Sequence, residues 1–273
     1  MNARWIRQLA AALLVAVTTS AGAQTPPGKE DPKARLAKAE AMFAERCKKA
    51  GVFIHRTAEN VEGIFLMKLR PKGINYGDQY KLDDPYGSDS TGETYIKTFF
   101  SGFYRNSSPP PPKGYRYVEA LDENDGKRYH YTGGIKVVGR KDVTSKWIQR
   151  ELELNPNYDL NNYAFVLDKV PAPGPAPRYG VTYDDISTRE ERDYWITGSS
   201  LKVIDLQTNE VLAERIGYMM DRGQGNNSGG RAPWLLAVSH ACPAFRSGPG
   251  VPPIQADQTR RFVVTVLQPM LEQ

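Results

Sequence analysis

Two cysteines constrain this chain more than any other feature. Cys47 and Cys242 are the only ones in 273 residues, and they lie near opposite ends. If they bond, every admissible fold brings the end of the first predicted helix against a segment close to the C-terminus. Cys242 sits in the stretch "RAPWLLAVSHACPAF" (231–245), with His240 two residues before it and Ser239 next to that histidine. Three readings compete there: a nucleophile with its base, a metal site, or one end of a staple.

The N-terminus bears on the choice. Arg4 and Arg7 form a positive n-region, Leu9–Val17 an apolar h-region, and Ala21-Gly22-Ala23 a small-residue cleavage pattern. The expectation is a signal peptide over 1–23 and a single exported domain over 24–273, located in the periplasm. The nine apolar residues of the h-region fall well short of the roughly 20 that a membrane-spanning helix needs. No stable membrane span is expected elsewhere.

Export places the cysteines in an oxidising compartment, where a pair usually means a disulfide. Asp31-Pro32 reads as an N-cap followed by proline at the first helical position. The helix then runs towards Gly51, a natural stop. Leu36, Ala39, Phe43 and Cys47 fall on one apolar stripe, so Cys47 faces inward. A bond from there to Cys242 requires Cα atoms about 5.5–6 Å apart. It would close nearly the whole domain and contribute up to about 5 kcal/mol by chain entropy.

The catalytic and metal readings lack support. The chain has three histidines, His55, His130 and His240, and no Cys-x-x-Cys or His-Glu-x-x-His spacing. Ser239 is not in a Gly-x-Ser-x-Gly elbow. Accordingly no catalytic residue, metal ligand or cofactor is assigned. Removing Arg4 and Arg7 takes the formal charge from +5 to +3, and no Lys/Arg run marks a nucleic-acid surface. Nucleic acid is not an expected partner. An apolar content of 40% suffices for a core.

Along the chain, Val52–Arg56 and Val61–Leu69 read as strands joined by a turn near Glu59-Asn60. Thr94–Tyr104 is apolar and short, helix or strand. Tyr115–Leu121 and Arg128–Tyr131 form a predicted hairpin across Asp122–Gly126. Tyr163–Leu167 is another strand, and Pro171–Pro177 a loop. The strongest hairpin runs from Trp195 to Met220, with Asn209 suited to the left-handed turn position. Residues 222–233 read as a flexible loop, and Trp234–Val238 and Phe262–Leu267 as apolar terminal elements. The fold class is α+β: a mainly antiparallel β-sheet with an N-terminal helix and short C-terminal helices packed on it.

Three groups of residues could carry chemistry. Asp78, Asp83, Asp84, Asp89 and Glu93 form an acidic loop without EF-hand spacing. Asp184, Asp185, Glu190, Glu191 and Asp193 form a second acidic set, interleaved with Arg189 and Arg192. Tyr115, Tyr117, Arg128, Tyr129 and Tyr131 form a candidate binding surface on the first hairpin, because Tyr and Arg anchor protein interfaces. An even-sum register gathers the four tyrosines; an odd one sets Tyr115 and Tyr117 against Arg128 and His130.

The segments "AEAMFAERCKKAGVFIHRTAENVEGIFLMKLRP", "YWITGSSLKVIDLQTNEVLAERIGYMMD" and "SHACP" together resemble a family of exported, mostly uncharacterised bacterial proteins. They are also similar to periplasmic immunity proteins of type VI secretion lipase effectors. The resemblance implies a non-enzymatic binding protein whose partner is a protein, a cognate toxin, and it carries no catalytic residue across. The alternative is a cell-envelope hydrolase or small-ligand-binding protein using the acidic loops.

Overall fold

A computed structural model describes residues 30–71, 79–80, 90–101, 103, 114–245 and 255–270. The signal-peptide reading over 1–23 lies outside these residues, as do Asp78, Asp83, Asp84 and Asp89.

The elements follow in chain order. Helix α1 (Pro32–Cys47) leads to strands β1 (Gly51–Ile54), β2 (Ala58–Val61) and β3 (Gly63–Leu66), then helix α2 (Gly92–Lys97). Strand β4 (Tyr117–Leu121) turns into the long β5 (Arg128–Arg140); helix α3 (Lys146–Leu154) and strand β6 (Asn161–Pro171) come next. Strand β7 (Tyr179–Asp185), helix α4 (Arg189–Asp193) and the hairpin β8 (Ile196–Asp205) and β9 (Glu210–Met220) follow. The last described elements are α5 (Pro233–Ala237), β10 (Ala241–Cys242), α6 (Gln255–Val266) and β11 (Leu267–Pro269).

Among the described residues nine strands form one sheet, in the order β1-β9-β8-β7-β3-β4-β5-β6, with β10 also pairing with β9. Most pairs are antiparallel, as an α+β fold predicts. The exception is β3, which runs parallel to both of its neighbours. It is buried along almost its whole length, the usual condition of a parallel strand. The proline-rich stretch 171–177 connects β6 and β7, which belong to the same sheet.

Residues Glu59 and Asn60, expected to form a turn, lie in β2 instead. That strand pairs in parallel with β11 in a separate two-stranded sheet, and Met270 N–H bonds to Val61 carbonyl O. A partner two hundred residues away leaves no local signature. Asn60 keeps the turn-like geometry, with φ of 56°.

One face of the sheet holds the main core. Ile64, Leu66, Val118, Val181, Tyr183, Leu201 and Val203 pack there against Tyr95, Ile96, Phe99 and Phe100 of the α2 region and Phe262, Val263 and Val266 of α6. Each such side chain contributes about 1.5–3 kcal/mol when buried. On the other face, α1 presses Ala39, Met42 and Phe43 onto Ile196 and Met220. Asp31 caps α1 through its carboxylate to Ala34 N at 2.9 Å.

Cys47, at the last turn of α1, is bonded to Cys242, with Cα atoms 5.5 Å apart. The bond ties α1 to β10 and, through it, to β9. His240 lies beside the staple, its ring centroid 6.3 Å from that of Phe43. Desolvation, followed by the nearby Arg222 cation, holds its pKa below the ordinary histidine value.

Loop 222–233 is more ordered than its glycines suggest. Buried Asp221 accepts bonds from Gly223 N, Gly225 N and the Arg231 guanidinium. The indole of Trp195 lies so close to Gly225 that a Cβ there would fall 2.2 Å from it. The composition reads as a flexible loop, but the Asp221 carboxylate organises it.

Candidate protein-binding surface

The β4–β5–β6 end of the sheet carries the tyrosine-rich hairpin, and its register decides what that hairpin can do. Val118 pairs with Tyr131, Glu119 with His130, Ala120 with Tyr129 and Leu121 with Arg128. This is the odd-sum arrangement. Alternation therefore divides the candidate residues between the two faces of the sheet.

Tyr129 and Tyr131 point to the core face. Tyr131 is only 4% exposed and belongs to the main core. Tyr115 is 2% exposed, and its hydroxyl donates to the Leu267 carbonyl at 2.8 Å. Burial raises the pKa of both. These two tyrosines offer no surface. A bend at Arg116 takes Tyr115 out of the β4 alternation, so it does not share a face with Tyr117.

Tyr129 stands at the rim. Its hydroxyl donates to Asp125 Oδ2 at 2.8 Å, and Lys169 Nζ sits 3.9 Å from its ring centre. Lys169 also pairs with Asp122. That bond, together with the Asn124 N–H, lowers the Asp122 pKa to about 2.

The opposite face carries Tyr117, Glu119, Arg128 and His130. Glu119 is 3% exposed; its Oε2 lies 2.8 Å from Arg128 Nε and its Oε1 3.2 Å from His130 Nδ1. The Arg128 contact is an ion pair whose angle falls short of a hydrogen bond. Tyr117 stacks on His130 with centroids 4.6 Å apart. On its other side it lies over Gly63, where a Cβ would fall 2.3 Å from the ring. Burial, then the Glu119 and Glu62 carboxylates, raises the Tyr117 pKa. A buried carboxylate thus holds a Tyr/His/Arg patch in fixed positions, with half-exposed Leu121 and Val170 beside it. Fixing such side chains beforehand lowers the entropy cost of binding.

Beyond the patch, β5 and β6 continue as a two-stranded arm capped by α3. On the core-side face, Gly133, Ile135 and Val137 pair with Leu167, Phe165 and Tyr163. Phe165 still belongs to the core, packed over Gly133 and against Phe100 and Phe103. Past Phe165 the apolar face runs on uncovered through Ile135, Val137 and Tyr163. The other face mixes Thr132, Lys136 and Asp168 with Val166 and Ala164, and Lys136 Nζ lies 2.7 Å from Asp168. A bulge at Val138 leaves that side chain exposed as well.

At the tip, Asp142 accepts from Thr144 Oγ1 and N, which lowers its pKa, and Ser145 stands at the N-cap of α3. Ile148 is buried, whereas Trp147 is 58% and Leu154 73% exposed. These two are seven residues apart, which is about two helical turns, so they share an outward stripe. Val143, before α3, is also exposed. An isolated two-stranded ribbon is marginal in water.

Of this arm the sequence shows the strand Tyr163–Leu167, which lies within β6, but β5 beyond Tyr131 and α3 were missed. Their signals were the helix pattern in "SKWIQRELEL" after an Asx turn, and the alternation in "YTGGIKVVGR", where the glycines obscure the strand.

The acidic sets fare differently. Asp184 pairs with Lys202, Asp185 with Arg192 and Ser187, and Glu190 with Lys38. Glu191 is buried in a capping box with Thr188 and bonded to Arg46. Asp193 accepts from the Tyr80 hydroxyl at 2.6 Å. Glu93 sits at the start of α2, 3.9 Å from Lys97. Each described member serves a neighbouring donor, and among the described residues no group of three or more His, Cys, Asp or Glu could hold a metal ion. No described helix is long and apolar enough to cross a membrane.

Compared with family models, curated proteins and solved structures, the chain finds no match.

Proposed function

We propose that this chain is an exported, non-enzymatic binding protein that engages a protein partner through its β4–β6 end, acting as an immunity protein that neutralises a secreted antibacterial toxin. The observation that carries the binding reading is the arm: a β-ribbon with one apolar face uncovered beyond Phe165, capped by a helix exposing Trp147 and Leu154. Such side chains bury large areas when a partner covers them. The Tyr117–Arg128–His130 patch lies at the root of the same ribbon and supplies polar anchors of the kind found at interface hot spots. The disulfide is in keeping with an oxidising compartment. The toxin as partner rests on the resemblance to periplasmic immunity proteins.

The test is capture. Residues 24–273 are immobilised and exposed to periplasmic extract and to the purified product of a neighbouring toxin gene. Stoichiometric retention of that toxin, with loss of its activity, is the expected result. Failure to retain any protein contradicts the proposal.

A further inference from the structure

Strand β6 is 11 residues long and stands at the edge of the sheet; among the described residues it pairs with β5 alone. Which of its backbone groups stay free follows from the ladder. Ala172 N–H bonds to Arg128 carbonyl O at one end, and Lys141 N–H to Leu160 carbonyl O at the other. Bonded positions alternate in an antiparallel pair, so the even-numbered residues of β6 turn their N–H and C=O towards β5. Asn161, Tyr163, Phe165, Leu167 and Lys169 turn theirs outward. Pro171, which has no N–H, also falls at an outward position, where an edge strand tolerates it.

Native edges are commonly blunted by charges, prolines or bulges. Here Asp168, Lys169 and Pro171 do so only at the root of the strand, and the run Leu160–Leu167 carries no charge and no proline. That run leads into the two-stranded arm, whereas an independently stable sheet needs three or more strands. What the arm lacks is strands, and a second arm supplies two.

Outward residues must meet outward residues, so β6 can pair with β6 of a second copy only in registers that set odd positions against odd. One such register lays the uncharged run on itself. It sets Tyr163 opposite Phe165 and Asn161 opposite Leu167, with Ala164 facing its own counterpart on the two-fold axis. Beyond the run it sets Lys169 opposite Asp159, both exposed and of opposite charge. Nowhere in it do like charges face each other.

We infer that two copies of this chain join edge to edge through β6, antiparallel and in this register. Tyr163 and Phe165 then form cross-strand pairs on the core-side face, and the two arms become one four-stranded sheet. The two-fold symmetry closes the assembly at two subunits. The Tyr117–Arg128–His130 patch takes no part, so the inference goes beyond the toxin reading and does not rest on it.

The first experiment is analytical ultracentrifugation of purified residues 24–273 over a hundredfold range of concentration, which should show a reversible monomer–dimer equilibrium. Tyr163 is exposed, and Tyr163→Lys brings two cations within about 7–8 Å across the axis. With an intact fold by circular dichroism, that variant should dissociate at least tenfold more readily. Phe53→Lys, an exposed change on the β1 edge, should leave the equilibrium unaltered. Cysteine substitution tests the register. Ala164 forms a non-hydrogen-bonded pair with its counterpart, with Cα atoms about 4.5 Å apart, a distance that a disulfide spans. Ala164→Cys should give a covalent dimer on a non-reducing gel after mild oxidation, and Asn162→Cys on the same strand should not. A parent that stays monomeric at every concentration overturns the inference and leaves the edge to a strand of another protein. It is equally overturned if Tyr163→Lys dimerises as the parent does, if Phe53→Lys abolishes the dimer, or if Asn162→Cys crosslinks as readily as Ala164→Cys.

Discussion

Glu119 shows how one residue organises a surface from beneath. Its carboxylate is almost wholly buried, yet both of its cationic or potentially cationic neighbours reach the surface. Replacing it with alanine removes the carboxylate that Arg128 and His130 share, leaving Arg128 only its bond to the Gly174 carbonyl, and should destabilise the protein by about 1–3 kcal/mol in urea unfolding. Binding through the patch should weaken in parallel. Asp122 makes a second prediction, set by pH. Its pKa is lowered to about 2, with the Lys169 bond as the largest cause, while the unfolded chain should hold it near 3.9. A depressed carboxylate stabilises the fold above the unfolded pKa and loses that contribution as pH falls through the folded one. Acid titration of stability should therefore show a loss between about pH 4 and pH 2 that Asp122→Asn removes. Among single residues, Asn209 was legible from sequence, and it adopts φ of 57°. Tyr115 was not: its place in the core depends on the backbone bend at Arg116 and on a carbonyl from β11.

The elements divide by how far away their partners lie. The β8–β9 hairpin and α1 could be read directly, because their turn, cap and periodicity are all local. The β2–β11 pair and the parallel setting of β3 could not, since each depends on strands remote in sequence. The rest of the arm, β5 beyond Tyr131 and α3, hid for another reason. Glycines break the alternation of β5, and exposed apolar residues on a ribbon do not resemble a core strand. Gly63 carries a prediction at this scale. A methyl group there would meet the Tyr117 ring at 2.3 Å, so Gly63→Ala should cost about 1–3 kcal/mol as overpacking does, measurable by thermal unfolding. The arm should behave in the opposite way. Val137–Tyr163 can be replaced by an Asn-Gly turn joining Lys136 to Ala164, which already face each other in the β5–β6 register. That variant keeps Phe165 in the core, and its melting temperature should stay within a few degrees of the parent.

At the scale of the whole molecule, the Cys47–Cys242 bond spans 195 residues and joins α1 to the β9–β10 edge. Cys242→Ser should lower stability by up to about 5 kcal/mol in the chain-entropy account. The fold should survive, because Ala39, Met42 and Phe43 still dock α1 on the sheet. Circular dichroism and a thermal melt check both statements. The molecule thus combines a stapled, well-buried sheet with an uncovered arm at the β6 edge, and the arm is where a partner should act. The most direct test is calorimetric titration of the captured partner against the parent protein and the arm-trimmed variant. Saturable one-to-one binding by the parent, and none by a trimmed variant that melts at nearly the same temperature, is the predicted result. Equal affinity for the two would contradict it.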